Sequence, residues 1–266
     1  MPSWTSAYEA ELRDLFQEIT SSLPGRLHQV VTGRTTPALD DLTIGTAREV
    51  GATVMFFDIE GSTARTPTGR PEHLRATLAT LNCVIPMISR VVTDHGGYIE
   101  KNTGDGLMAV FGPTVSSADD ALDAAVTCFY ALLEIVNPFL IANGIAPVDA
   151  RIGIDHGQIL LARIGLPTGS ADNQRNFLTA VGPAANIAFR LQGVAGTNGI
   201  CVGDGVRQRA SGQRVSHFQA FVPPDWTWVF EGTQNPYWVW KYVARRTAPF
   251  DFARLLGMGG PPFKLR

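Results

Sequence analysis

Asp58 and Asp105 are the residues whose types and surroundings most directly imply a chemistry. The apolar run Thr53-Val54-Met55-Phe56-Phe57 ends at Asp58-Ile59 and is followed by Glu60-Gly61-Ser62-Thr63, so a strand delivers the first carboxylate to its own end. The second stands in Tyr98-Ile99-Glu100-Lys101-Asn102-Thr103-Gly104-Asp105-Gly106-Leu107-Met108-Ala109-Val110-Phe111. Two strand-like runs flank a turn there, which predicts a hairpin with Asp105 at its tip and glycines on either side that let a ligand approach. Hard divalent cations take oxygen ligands, and Mg²⁺ is commonly shared between one or two carboxylates and substrate phosphates. Gly61, Ser62 and Thr63 begin the next element, where unpaired backbone amides can face phosphate. The pair therefore predicts a cradle for a metal-bound polyphosphate. Either aspartate alone would pass for an ordinary turn residue.

The elements that must position this pair follow from hydrophobic spacing. Leu74, Leu78, Leu81, Ile85, Ile88 and Val92 step by four and three, which predicts a helix over 71–95 closed by Gly96-Gly97, with a kink at Pro86. His95 is read as the last turn of that helix. A second helix is expected over 117–136, capped at Ser-Ser-Ala-Asp-Asp. Residues 148–154 and 158–164 read as a strand pair about Asp155-His156-Gly157, and 176–181 as a further strand. Pro183 opens another helix, on which Asn186 and Arg190 are four apart and project from one face. Residues 236–243 read as a closing strand. The order strand, helix, strand, strand, helix, strand predicts an α+β fold, a ferredoxin-like βαββαβ domain with extra C-terminal strands and an antiparallel sheet covered by helices. Residues 1–51 read as an N-terminal helix (7–22) and linker, 52–245 as the main domain, and 246–266 as a Gly/Pro-rich tail.

Composition narrows the function classes. Lys+Arg number 22 against 24 Asp+Glu, a net charge of −2, so neither a nucleic-acid patch nor a polybasic membrane anchor is expected. No apolar run reads as a bilayer span, and Met1-Pro2-Ser3-Trp4 lacks the charged-then-apolar order of a secretory signal. A cytoplasmic location without a membrane partner is the expectation. Cys83, Cys128 and Cys201 are an odd number without metal-type spacing and are read as reduced core residues.

These motifs together resemble a known family. Phe57-Asp58-Ile59-Glu60-Gly61-Ser62-Thr63, His95-Gly96-Gly97 with Lys101 through Gly112, Arg151-Ile152-Gly153-Ile154, and Gly182 through Asn186 with Arg190 are similar, in this order, to motifs of the class III adenylyl and guanylyl cyclase catalytic domain. The resemblance covers about 52–206. It implies that Asp58 and Asp105, with the Ile59 carbonyl, hold two Mg²⁺ or Mn²⁺ ions per site, and that Lys101 and Thr179 read the base. Asn186 would orient the ribose and Arg190 would stabilise the transition state. The implied reaction is in-line attack of the ribose 3′-oxygen on the α-phosphorus of a nucleoside triphosphate, with pyrophosphate leaving. Two catalytic domains of the family pair head to tail, one giving the aspartates and the other the remaining set, and this chain carries both sets. A homodimer with two composite sites is the expectation.

The base follows from hydrogen-bonding capacity. Lys101 can only donate, which disfavours guanine; it suits adenine N1 while the Thr179 hydroxyl accepts from the N6 amino group. The same pair does not exclude uracil, Lys101 donating to O4 and Thr179 accepting from N3–H, provided that larger side chains near Val54 or Phe56 move the pocket wall inward. ATP is put slightly ahead on the base pair. UTP or CTP follow on the resemblance of the short-lead architecture to bacterial pyrimidine cyclases of antiphage systems. A binding module without activity is the other reading, although no aspartate or arginine is missing; a diguanylate cyclase is disfavoured because its Gly-Gly-Asp/Glu-Glu-Phe signature is absent.

Overall fold

The run 47–59 is rich in Val, Phe, Thr and Ile, and in a strand such residues alternate between two faces. In the computed structural model, which describes residues 31–32, 41–62, 70–165 and 176–243, this run is strand β2 (Ala47–Ile59), after a two-residue strand β1 (Val31–Thr32). Met55, Phe57 and Ile59 join the main core. Val54, Phe56 and Asp58 take the alternate positions and so lie on the other face. The strand begins at Ala47, within the stretch read as linker. The expected helix over 7–22 and the 246–266 tail lie outside the described residues.

By contacts the chain divides into two units, residues 1–50 with 158–182, and residues 51–157 with 183–266. In the second, helix α1 (Pro71–Asp94) follows β2 and buries Thr80, Val84, Ile88, Val91 and Val92. It passes Pro86 as one 24-residue helix, so the proline does not end it. His95 caps it as expected, its Nδ1 2.8 Å from the Val91 carbonyl. Strands β3 (Gly97–Asn102) and β4 (Gly106–Phe111) form the expected hairpin, and β4 pairs with β2 from Thr53↔Phe111 to Asp58↔Gly106.

Helix α2 (Ser117–Ala131) continues through a π-helical stretch at Leu132–Val136 into α3 (Asn137–Ala142), past the expected end. Pro138, which has no N–H to give the preceding turn, stands directly after this π-helical stretch. The expected serine cap is replaced by a side-chain pair: Ser116 Oγ donates to Asp120 Oδ2 at 2.8 Å. Both α1 and the α2–α3 run are, against expectation, long and apolar enough to cross a membrane by length and composition. Each puts one side into the core, where Val84, Ile88, Val92, Leu122, Cys128 and Leu140 are buried together, while Leu74 and Leu78 of the expected α1 stripe, and Leu133, Ile135, Phe139 and Ile141, are exposed.

Strand β5 (Ala150–Gly165) is a single strand, not the strand pair expected about Asp155-His156-Gly157. Strand β6 (Asn176–Val181), helix α4 (Pro183–Val194), strand β7 (Gly199–Gly203) and a one-turn helix α5 (Asp204–Arg207) follow. Strands β8 (Phe218–Phe221) and β9 (Val239–Tyr242) complete the sheet in the order β3-β4-β2-β5-β7-β9-β8. The α+β fold with extra C-terminal strands is as expected. The sheet is mixed rather than antiparallel, because β5 and β7 pair in parallel (Arg151↔Gly199 to Ile154↔Val202). A parallel pair needs a crossover, and the connection containing α4 supplies it. The closing strand is shorter than 236–243.

In the other unit β6 pairs antiparallel with the later half of β5, Leu160↔Val181 to Gly165↔Asn176, and β1 pairs in parallel with the start of β2. Arg163 N–H donates to the Thr46 carbonyl at 3.0 Å. All three cysteines are free; Cys128 and Cys201 are fully or nearly fully buried, Cys83 partly. Burial pushes the Cys201 thiol up to about 12, so it stays protonated and behaves as packing.

Candidate active site

The hairpin tip is built so that strand backbones touch. A Cβ on Gly106 would lie 2.3 Å from the Phe57 carbonyl oxygen, so only glycine lets β4 meet β2 next to Asp58. Ile59 N–H donates to the Asp105 carbonyl at 3.3 Å and Gly104 N–H to Asn102 Oδ1 at 2.9 Å, which closes the turn. The Ser62 hydroxyl donates to Asp105 Oδ2. Asp58, Ile59, Ser62 and Asp105 are thus brought together, as the sequence implies. Gly61 is exposed and Thr63 lies outside the described residues.

Asp58 has two partners that the sequence reading gave no role. Arg151 Nη2, from β5, and Gln192 Nε2, from α4, each donate to Asp58 Oδ2 at 2.9 Å. Burial is the largest influence on this carboxyl and pushes its pKa up. The Arg151 hydrogen bond pulls it down, the Asp105 charge raises it, and the net direction is upward. Two like charges beside a guanidinium form a donor set that fits a hard cation. Among the described residues no three His, Cys, Asp or Glu side chains gather as a closed metal cage. A cation held by Asp58, Asp105 and the Ile59 carbonyl would complete its shell with water and phosphate oxygens, as Mg²⁺ does.

The signals for both missed residues were present. Arg151 stands between Ala150 and the run Ile152-Gly153-Ile154 near the start of β5, where a charge among apolar neighbours needs a partner. Gln192 is polar on the side of α4 that carries Ala184, Ala185, Ile187, Ala188 and Leu191 into the interior.

Asn186 and Arg190 are exposed. At about 100° per residue their side chains leave α4 about 40° apart, and Gln192 leaves it roughly 140° from their midline. One face of α4 therefore holds this chain's own Asp58, and the opposite face carries Asn186 and Arg190 away from it. Lys101 stands on β3, its side chain 47 % exposed and its Nζ 3.5 Å from Glu100 Oε2, on a β-bulge between Ile99 and Lys101. Thr179 belongs to the other unit, where it pairs with Ala162 and is buried.

The family model for the adenylate and guanylate cyclase catalytic domain matches residues 46–220. The chain belongs to this family, the class III nucleotidyl cyclases. It is 29% identical to a uridylate cyclase of Burkholderia cepacia over 193 residues, 71% of this chain and 80% of that protein. It is 26% identical to an adenylate cyclase of Anabaena cylindrica over 159 residues, covering 59% of this chain but only 30% of that protein. Among solved structures, the guanylyl cyclase Cya2 superposes with a TM-score of 0.59 at 25% identity, over 74% of this chain and 93% of that one.

Proposed function

We propose that this chain converts a nucleoside triphosphate to a cyclic 3′,5′-nucleotide and pyrophosphate at composite sites formed by two copies paired head to tail. The observation that carries this reading is the opposition of faces on α4. Gln192 is buried on Asp58 while Asn186 and Arg190 face out, so the residues of the transition state serve the aspartates of a second copy. Asp58, Asp105 and the Ile59 carbonyl would hold two Mg²⁺ or Mn²⁺ ions, which when bound lower the pKa of the 3′-hydroxyl and neutralise triphosphate charge.

Everything else falls to side chains. Asn186 holds the ribose so that its 3′-oxygen lies in line with the α-phosphorus and the departing pyrophosphate. The Arg190 guanidinium meets charge developing on the α-phosphate oxygens. Backbone amides at Gly61 and Ser62 face phosphate at the start of the element after β2. Lys101 donates to the base edge and the Thr179 hydroxyl accepts from it.

Adenine, uracil and cytosine all fit that donor and acceptor, cytosine through N3 and its N4 amino group. Adenine, through N1 and the N6 amino group, follows directly from the pair. Uracil is favoured by one specific observation: the similarity to a uridylate cyclase runs over 80% of that protein's length. A cyclic pyrimidine product would connect the chain to antiphage signalling. Incubating the purified protein with ATP, GTP, CTP and UTP separately, with Mg²⁺ or Mn²⁺, and identifying products by mass spectrometry decides between them. A cyclic nucleotide from one triphosphate is the expected result; no cyclic product from any of the four sinks the reading.

A further inference from the structure

We propose that Gln192 is a positioning residue for the metal centre: its carboxamide fixes the orientation of Asp58 and registers helix α4 against the cation site. The assignment rests on the cyclase reading for its metal, and on four observations of this chain for its content. Gln192 is only 7% exposed, so its amide is committed to the interior, where a polar group without a partner is costly. Its Nε2 donates to Asp58 Oδ2 at 2.9 Å, the oxygen that also receives Arg151. Two donors on one oxygen turn the carboxylate so that Oδ1, which no hydrogen bond reaches among the described residues, is the atom free for a cation.

The third observation is the seat of the helix. A Cβ on Gly153 would lie 2.2 Å from Gln192 N and 2.1 Å from the Ala188 carbonyl oxygen. Only a glycine there lets α4 come down far enough for Gln192 to reach across to β2. Gly153 lies two residues from Arg151 on β5, hence on the same strand face, so one strand provides both the seat of α4 and the second donor. The fourth observation is charge. Arg151 and an incoming cation are both positive and repel one another, whereas the Gln192 amide is neutral and can hold Asp58 whether or not a cation is bound. Outer partners of this kind typically change metal affinity by about 10–100-fold when removed.

The test is Mn²⁺ binding to the full chain without substrate, followed by electron paramagnetic resonance or calorimetry, in wild type, Gln192→Met and Gln192→Leu. Both replacements put an apolar side chain of similar size in place of the carboxamide and lack the donor. Mn²⁺ affinity about 10-fold or more below wild type in both, with an unchanged melting temperature, is the expected result. An affinity within about threefold of wild type in either folded variant overturns the assignment, since donors of this kind are worth at least tenfold. So does failure of both variants to fold, which would make the residue structural, and so does absence of Mn²⁺ binding in wild type. Product formation is measured separately: a wild type that binds Mn²⁺ in a Gln192-dependent way but makes no cyclic nucleotide refutes the cyclase reading and leaves the positioning role standing.

Discussion

At the scale of single residues, Arg190 is the sharpest probe of the chemistry. It is exposed and lies one helical turn from Asn186, with no structural duty to the core. Removing a preorganised donor aimed at developing charge lowers turnover by roughly 10²–10³ and leaves ground-state contacts in place. Arg190→Ala is therefore expected to retain nucleotide affinity in a calorimetric titration while kcat falls by about that factor. Equal turnover in the variant would remove Arg190 from the mechanism. Asp58 differs in kind, because it is tied to Arg151 and Gln192 and its replacement leaves a half-buried guanidinium and a buried amide without their acceptor.

At the scale of elements, strand β5 carries two adjacent titrating groups with opposite behaviour. Asp155 is buried and its pKa is pushed up to about 7, chiefly by burial, while the Tyr237 hydroxyl donates to it at 2.8 Å. His156 faces Thr53, its Nδ1 2.8 Å from the hydroxyl, and burial lowers its pKa to about 4, with the Arg209 charge acting in the same direction. Asp155 holds its proton in the fold over a range in which the unfolded chain has lost it. Its contribution to stability therefore falls as pH rises from about 4 to 7. His156 stays neutral in the fold where the unfolded chain is protonated, so its contribution falls as pH drops from about 6.5 to 4. Between about pH 4 and 6.5 the two slopes, each at most about 1.4 kcal/mol per pH unit, oppose one another. Urea midpoints of wild type should be nearly flat there. Asp155→Asn should grow more stable with rising pH and His156→Gln less stable; parallel profiles in all three proteins would refute the pairing.

At the scale of the whole molecule, the prediction concerns two copies. Asp58→Ala and Arg190→Ala chains should each be inactive as homodimers. After mixing and re-equilibration, heterodimers containing one intact composite site should restore up to about a quarter of wild-type activity, the random-assortment expectation for half the dimers each having one of two sites. No recovery on mixing, with dimer formation confirmed by sedimentation, would mean that each chain completes its own site.

Much of this was legible from local pattern, because local pattern has local causes. Period-two apolar residues and an Asn-Thr-Gly-Asp-Gly turn made the β3–β4 hairpin readable, and a 3.6-residue period made α1 readable. Asp155-His156-Gly157 misled for the same reason: the residues favour a turn locally, but Tyr237 and Thr53, 82 and 103 positions away in sequence, satisfy them within one continuous strand. The parallel β5–β7 pair was equally hidden, since parallel pairing is decided by a crossover and not by the strands' own residues. By itself the sequence determined the family, an aspartate at the end of β2 and another at a hairpin tip, and the shared face of Asn186 and Arg190 on α4, all of which are set by residue type and short spacing. Only the tertiary structure decided that Arg151 and Gln192 converge on Asp58 and that α4 has its back to that carboxylate. Those facts depend on how closely a helix can approach a strand, and the absent side chain of Gly153 sets that distance.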